Sequence, residues 1–178
     1  PYLVDRCIWS HNGEKSFLSS ICDGVTMRNC IAYNNNGMTA EIKSYLRTDN
    51  HWKRAPFTIH DWTMSENIFM SSGAGPIVRQ DIWPSPSKDP LAEDYRYVGA
   101  NNTYFSPDPE NAFVTKSFKD GRERAGDLAH WMNDPFVQET SARFVDPRFS
   151  DPDQLDFSFA DGSPFSGRED DYLAMRIP

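Results

Sequence analysis

Short apolar runs recur along the chain, each closed by polar turn residues. They are RCIWSHNG (Arg6 to Gly13), NCIAYNNNG (Asn29 to Gly37), ENIFMSSGAG (Glu66 to Gly75) and NNTYFSPDPENAF (Asn101 to Phe113). A single Asn-Gly reads as a hairpin turn, but a recurring unit is the stronger signal and is weighed first. Cys7 and Ile8 precede Cys30 and Ile31 by 23 residues. With Asn29, Asn67 and Asn102 in register, Ile8, Ile31, Phe69 and Tyr104 fall in one column. Phe17, Ala40, Val78 and Phe113 fall in another. Both columns are expected to be buried. The register weakens ahead of the anchor, where Val25 and Met27 read as inward strand residues but their counterparts Thr63 and Ser65 do not.

A unit of about 23 residues with short alternating strands, lengthened by loops in later copies, fits one turn of a parallel β-solenoid. Stacking at the strand spacing of about 4.8 Å would turn each column into a ladder. Asparagines at one corner could then hydrogen-bond along the stack and satisfy backbone groups there. A set of unrelated antiparallel hairpins is the alternative.

On these residues the chain resembles right-handed parallel β-helix proteins of the pectate-lyase-like kind, with GVTMRN (Gly24 to Asn29) running into NCIAYNNNG. ARFVDPRFSDPDQLDFSFADGSPFSG (Ala142 to Gly167) is similar to the closing segment of many secreted bacterial β-helix proteins. Its elements are Asp146-Pro147-Arg148-Phe149, Asp156-Phe157 and Gly162-Ser163-Pro164. The resemblance implies an all-β chain: a right-handed parallel β-helix (solenoid) of about four coils with long loops over 1–118. One short helix and a C-terminal capping segment of the same domain would follow over 119–178. It implies a secreted or periplasmic, carbohydrate-active protein. It does not specify the chemistry, because glycoside hydrolases, polysaccharide lyases, epimerases, esterases and non-catalytic spikes share the architecture.

Composition narrows this. The 178 residues, 13% of them aromatic, allow one domain with a real core. A formal charge of −8 argues against a nucleic-acid surface and mildly against a polyanionic substrate. Three cysteines are too few for a disulfide framework. Cys7 and Cys30, one unit apart, read as stacked buried thiols rather than a disulfide. No Cys/His spacing resembles a zinc site, so no metal or other cofactor is expected, with calcium entering only if the protein is a lyase. No membrane partner is expected. PYLVDRC opens inside a unit, without an initiator methionine or a signal peptide. The expectation is a C-terminal piece of a longer chain, its first coil covered by upstream coils of the same protein or by another chain.

Two loops, 44–57 and 82–97, follow the glycine-led strands GMTAEIK and GAGPIVRQD. In the family resembled, that sheet floors the substrate groove, which makes Trp52, Trp83 and Tyr95 candidates for stacking on sugar faces. If Ala40 and Val78 point inward, alternation turns Glu41, Lys43, Arg79 and Asp81 outward. The column register pairs Glu41 with Arg79 and Lys43 with Asp81, with Ser20 and Lys116 extending the second row. Glu41 and Asp81 are the candidate catalytic carboxyls, and Lys43 and Arg79 the candidate substrate-binding cations. Glycosidases need two carboxyls about 5–9.5 Å apart. A surface ladder of ion pairs without catalytic role is the alternative for this cluster. Asp23, Asp61, His11 and His60 are weaker candidates. After Asp120, an expected N-cap, Ala125, Leu128, Ala129 and Met132 are spaced for a short amphipathic helix in which His130 and Trp131 pack. Leu155, Phe157 and Phe159 alternate as a last strand.

The function expected is therefore a carbohydrate-active enzyme, a glycoside hydrolase acting on a polysaccharide or oligosaccharide. A polysaccharide lyase and a non-catalytic glycan-binding spike or adhesin are the alternatives.

Overall fold

The structure is a computed structural model. It describes residues 2–10, 15–20, 24–34, 38–44, 62–73, 75–82, 97–117, 122–135 and 137–173, with backbone alone at 15–20, 43–44, 82 and 117. The strands are short, and the chain lays them into three sheets in rotation. The first sheet has the order β1 (Tyr2–Asp5), β4 (Val25–Arg28), β7 (Trp62–Ser65), β10 (Tyr97–Ala100) and β14 (Gln138–Thr140). The second has β2 (Ile8–Ser10), β5 (Ile31–Asn34), β8 (Ile68–Ser71), β11 (Thr103–Phe105) and β15 (Arg143–Phe144). The third has β3 (Lys15–Ser20), β6 (Met38–Ser44), β9 (Val78–Ile82), β12 (Phe113–Ser117) and β13 (Glu123–Gly126). A two-stranded antiparallel sheet, β16 (Phe149–Asp151) with β17 (Asp156–Phe159), completes them.

The expected single right-handed parallel β-helix of about four coils is corrected by this arrangement. The strands belong to several separate sheets, none of which closes or coils upon itself, and the third sheet is mixed. The mixing has a plain cause. Parallel neighbours need a crossover of a dozen or more residues, whereas only residues 118–122 separate β12 from β13, so β13 returns antiparallel with Phe113 opposite Gly126.

The second expected column, Phe17–Ala40–Val78–Phe113, is present as a continuous backbone register. The first is corrected by one residue. Ile8 pairs with Ile31 and Ile31 with Ile68, while Ala32 pairs with Phe69 and Phe69 with Tyr104. Because side chains alternate across a strand, a slip of one moves a residue to the opposite face. Trp9, Ala32, Phe69, Tyr104 and Phe144 thus share the interior cluster, whereas Ile31 and Ile68 belong to a second apolar cluster and Ile8 is 41% exposed.

The turn between the first and second sheets explains the slip. Arg6, Asn29, Glu66, Asn101 and Ser141 all adopt the left-handed backbone, with φ from 53° at Asn29 to 57° at Asn101. The next positions, Cys7, Cys30, Asn67 and Asn102, point inward and stack. Asn67 Oδ1 accepts from the Cys30 backbone N–H at 3.0 Å, and Asn102 Oδ1 accepts from the Asn67 N–H at 3.0 Å. Asn67 Nδ2 donates to Met27 O and to Asn102 Oδ1. The expected corner ladder of asparagines exists, but Asn67 follows Cys30 rather than Asn29. Both Cys7 and Cys30 are free thiols, and burial pushes the Cys30 thiol up to about 11.

Between the sheets lie Met27, Trp62, Met64, Phe69, Tyr97, Tyr104 and Phe113, all nearly inaccessible. Each large side chain buried here contributes about 1.5–3 kcal/mol relative to exposure. Phe69 stacks on Tyr104 at 5.3 Å between ring centres, aligned by the one-to-one register of β8 and β11. The helix expected from Asp120 is corrected to α1 (Leu128–Met132), capped by Asp127, whose carboxylate accepts from the His130 N–H. Ala125 belongs to β13 instead, and Asp120 lies outside the described residues. The helix lays Trp131 against Phe113 and Tyr97 at the end of the core.

The tail folds back along the second sheet. Phe149, Phe157, Phe165 and Tyr172, the last in α2 (Glu169–Tyr172), pack over Ile31, Tyr33 and Ile68. Asp153 accepts a 2.6 Å hydrogen bond from Tyr33 Oη. Leu155 is not part of the last strand: it sits at φ 66°, 63% exposed, in the turn before β17.

Candidate functional site

Glu41 lies on β6, and Arg79 and Asp81 on β9. In β6, Ala40 and Ile42 face the core, so the intervening Glu41 projects from the other side of the third sheet. The register places Glu41 beside Arg79 and Lys43 beside Asp81, with Ser20 beside Lys43 and Lys116 beside Asp81. The expected Glu41–Arg79 rung forms, but Arg79 makes shorter contacts elsewhere. Arg79 Nε donates to Asp81 Oδ1 at 2.8 Å, within its own strand, and lies 3.8 Å from Glu41 Oε1. Its Nη2 reaches Glu123 Oε2 on β13 at 3.1 Å. Three carboxylates thus surround one guanidinium.

Burial grades this cluster. The Glu41 and Asp81 side chains are 4% and 9% exposed, Arg79 is 18% exposed and Glu123 49%. Burial alone would lower the Arg79 pKa, but Asp81 and Glu123 outweigh it and hold the guanidinium above its ordinary value. Glu123 was not singled out by sequence, because its approach depends on the reversal of β13, a reversal that the short connection could have signalled. Trp52, Trp83 and Tyr95 lie outside the described residues, as does the Lys43 side chain. Among the described residues no group of three or more His, Cys, Asp or Glu is placed to hold a metal ion.

A second ionisable centre lies inside the core, and sequence reading missed it. Glu139 on β14 is 5% exposed. Its Oε2 accepts from Tyr97 Oη at 2.8 Å and Tyr104 Oη at 3.0 Å, and its Oε1 accepts from Asn102 Nδ2 at 2.9 Å. The asparagine stack therefore ends on a carboxyl group. Desolvation raises the Glu139 pKa, against the pull of Asn102 and the two phenols, and it pushes both phenols well above their ordinary value. The Trp131 indole faces the same group and also draws the carboxyl pKa down, although its N–H has no hydrogen bond of good geometry. Alternation over YVGA and QET could have shown that Glu139 points inward once β10 and β14 were paired.

No protein-family model, curated protein or solved structure matches the chain. The functional reading accordingly rests on the two centres. Glu139 is sealed by aromatic side chains, so it suits a structural end to the asparagine stack. The cluster around Arg79 grades from buried to open, which suits chemistry on a ligand. Among the described residues no helix is long and apolar enough to cross a membrane, a statement that does not concern β-barrels.

Proposed function

We propose that this chain carries the carboxyl pair of a glycoside hydrolase acting on a polysaccharide or oligosaccharide. The observation that supports it is the convergence of Glu41 and Asp81 on one atom, Arg79 Nε, at 3.8 and 2.8 Å. Those distances cap the separation of these two carboxylate oxygens in the lower part of the range of about 5–9.5 Å that glycosidic cleavage uses, the end that retaining enzymes occupy. One carboxyl would protonate the leaving oxygen and the other would activate water or attack the anomeric carbon. Arg79, held by Asp81 and Glu123, would fix their orientation, and substrate would approach past the more open Glu123. A lyase is less well supported: it needs a base free to take a proton, and this guanidinium is committed to carboxylates.

The test is incubation with plant, algal and bacterial glycans. New reducing ends without ultraviolet-absorbing unsaturated products are expected. Unsaturated products would indicate a lyase, and binding without turnover a glycan-binding protein. Glu41→Gln and Asp81→Asn should each lower turnover by about 10²–10⁴-fold. Unchanged rates in both variants would remove this cluster from the chemistry.

A further inference from the structure

A cavity of about 300 Å³ opens at the corner between the first and second sheets, lined by Glu66, Asn101, Ser141, Arg143 and Arg168. Glu41 and Asp81 belong to the third sheet, so this is a separate place. Three of the five lining residues, Glu66, Asn101 and Ser141, occupy the left-handed turn row, at φ 56°, 57° and 55°. That conformation aims successive turn side chains away from the core at one corner, where the returning tail walls them in.

The two arginines differ in their commitments. Arg168 Nη2 meets Glu66 Oε2 at 3.3 Å, and its Nε meets Asp171 at 2.8 Å, so its charge is already answered. Arg143 is held by neutral partners: its Nε donates to Thr103 Oγ1 at 2.9 Å, and its guanidinium lies 4.6 Å over the Phe165 ring. Among the described residues no carboxylate pairs with Arg143. A planar fork, immobilised by stacking and one hydrogen bond, is suited to a planar anion that accepts two parallel N–H donors. Beside it, Asn101 spends its amide N–H on Glu66 Oε1 at 2.8 Å, which leaves Oδ1 as an acceptor for a hydroxyl. Ser141 supplies a hydroxyl of its own.

We propose that this cavity binds a small hydroxy-carboxylate, a mono-anion whose carboxylate takes the Arg143 fork and whose hydroxyls meet Asn101 and Ser141. The charge count selects against dianions. Two guanidiniums against Glu66 and Asp171 leave the site without net charge, so Arg143 alone answers a ligand's first negative charge, and a second would find no free cation and would face the Glu66 carboxylate. An acetate-sized anion would make the fork contact but leave the acceptors without partners. A neutral polyol would lack the charge-assisted pair.

Titration of the full chain with D-gluconate, acetate, sorbitol and sulfate, followed by calorimetry and amide NMR, tests the site. Gluconate should bind at least about tenfold more tightly than acetate or sulfate. It should shift the Asn101 side-chain amide and the Ser141 backbone amide while leaving Asp81 unmoved. Arg143→Gln should abolish binding. Arg143→Lys, which keeps the charge and the stem over Phe165 but loses the fork, should weaken it by about tenfold or more. Absence of gluconate binding to the unaltered protein, equal binding by a folded Arg143→Lys protein, or preference for sulfate would each overturn the proposal.

Discussion

Gly99 lies directly beneath the carboxylate of Glu139, in the space that a side chain at position 99 would fill. The two residues are register partners in β10 and β14, and a Cβ on Gly99 would overlap the Glu139 carboxyl group. Gly99→Ala should push that carboxylate away from Tyr97 and Tyr104. Such overpacking costs about 1–3 kcal/mol, and the loss should appear as a lower denaturation midpoint in urea.

Glu139 should also set a pH dependence. Its folded pKa is raised, chiefly by desolvation. The neutral form is therefore the one that folding favours. Its contribution is fully present below the unfolded value of about 4.3 and is lost as pH rises through the higher folded value. Glu139→Gln should remove that fall, so the difference in stability between mutant and parent should shift in favour of the mutant as pH rises from 4 toward neutrality. Urea titrations across that range check it, and a pH-independent difference would contradict the assignment.

Asn67 offers a test of the corner stack. Its amide serves the Cys30 N–H, Met27 O and Asn102 at once, all buried. Asn67→Ala would leave those groups unpaired at about 1–3 kcal/mol for a buried orphan. Differential scanning calorimetry should show a clear drop in Tm. A change at an exposed turn residue such as Ser141 should have little effect.

Phe165 anchors the tail through Phe159, Tyr172 and Arg143. Truncation to alanine should cost about 3–5 kcal/mol. Hydrogen exchange should rise first in β16 and β17 and along the outer face of β5 and β8, before the core strands open.

Much of the strand pattern was legible in the sequence because apolar alternation and recurrence survive loop insertions. The Phe17–Ala40–Val78–Phe113 register was legible because each residue stands at the same spacing from the recurring unit ahead of it. The other register was not legible, because Asn29 and Asn67 are the same residue in different jobs. Asn29 takes a left-handed turn position that Arg6, Glu66 and Ser141 fill equally well, whereas Asn67 is inward, where its counterpart is Cys30. Anchoring on residue identity shifted the strands by one, which is why Thr63 and Ser65 looked misplaced: Met64 is the partner of Met27. The Glu41–Arg79–Asp81 neighbourhood was legible from alternation. The choice of Asp81 by Arg79 within one strand, and the arrival of Glu123, depended on side-chain reach and on the direction of β13, neither of which a periodic pattern encodes.

The tail that covers the second sheet also sets a schedule. Ile31 and Ile68 are sealed by residues such as Phe157, Phe165 and Tyr172, roughly a hundred positions further along the chain. A ribosome adding about 5–20 residues per second leaves that interval open for on the order of ten seconds. The strands can pair during that time, yet their outer apolar face stays wet until the segment carrying Phe157, Phe165 and Tyr172 has emerged. The vulnerable species in the life of this protein is accordingly the nascent chain that has made its sheets but not yet their cover, already ordered inside and still adhesive outside.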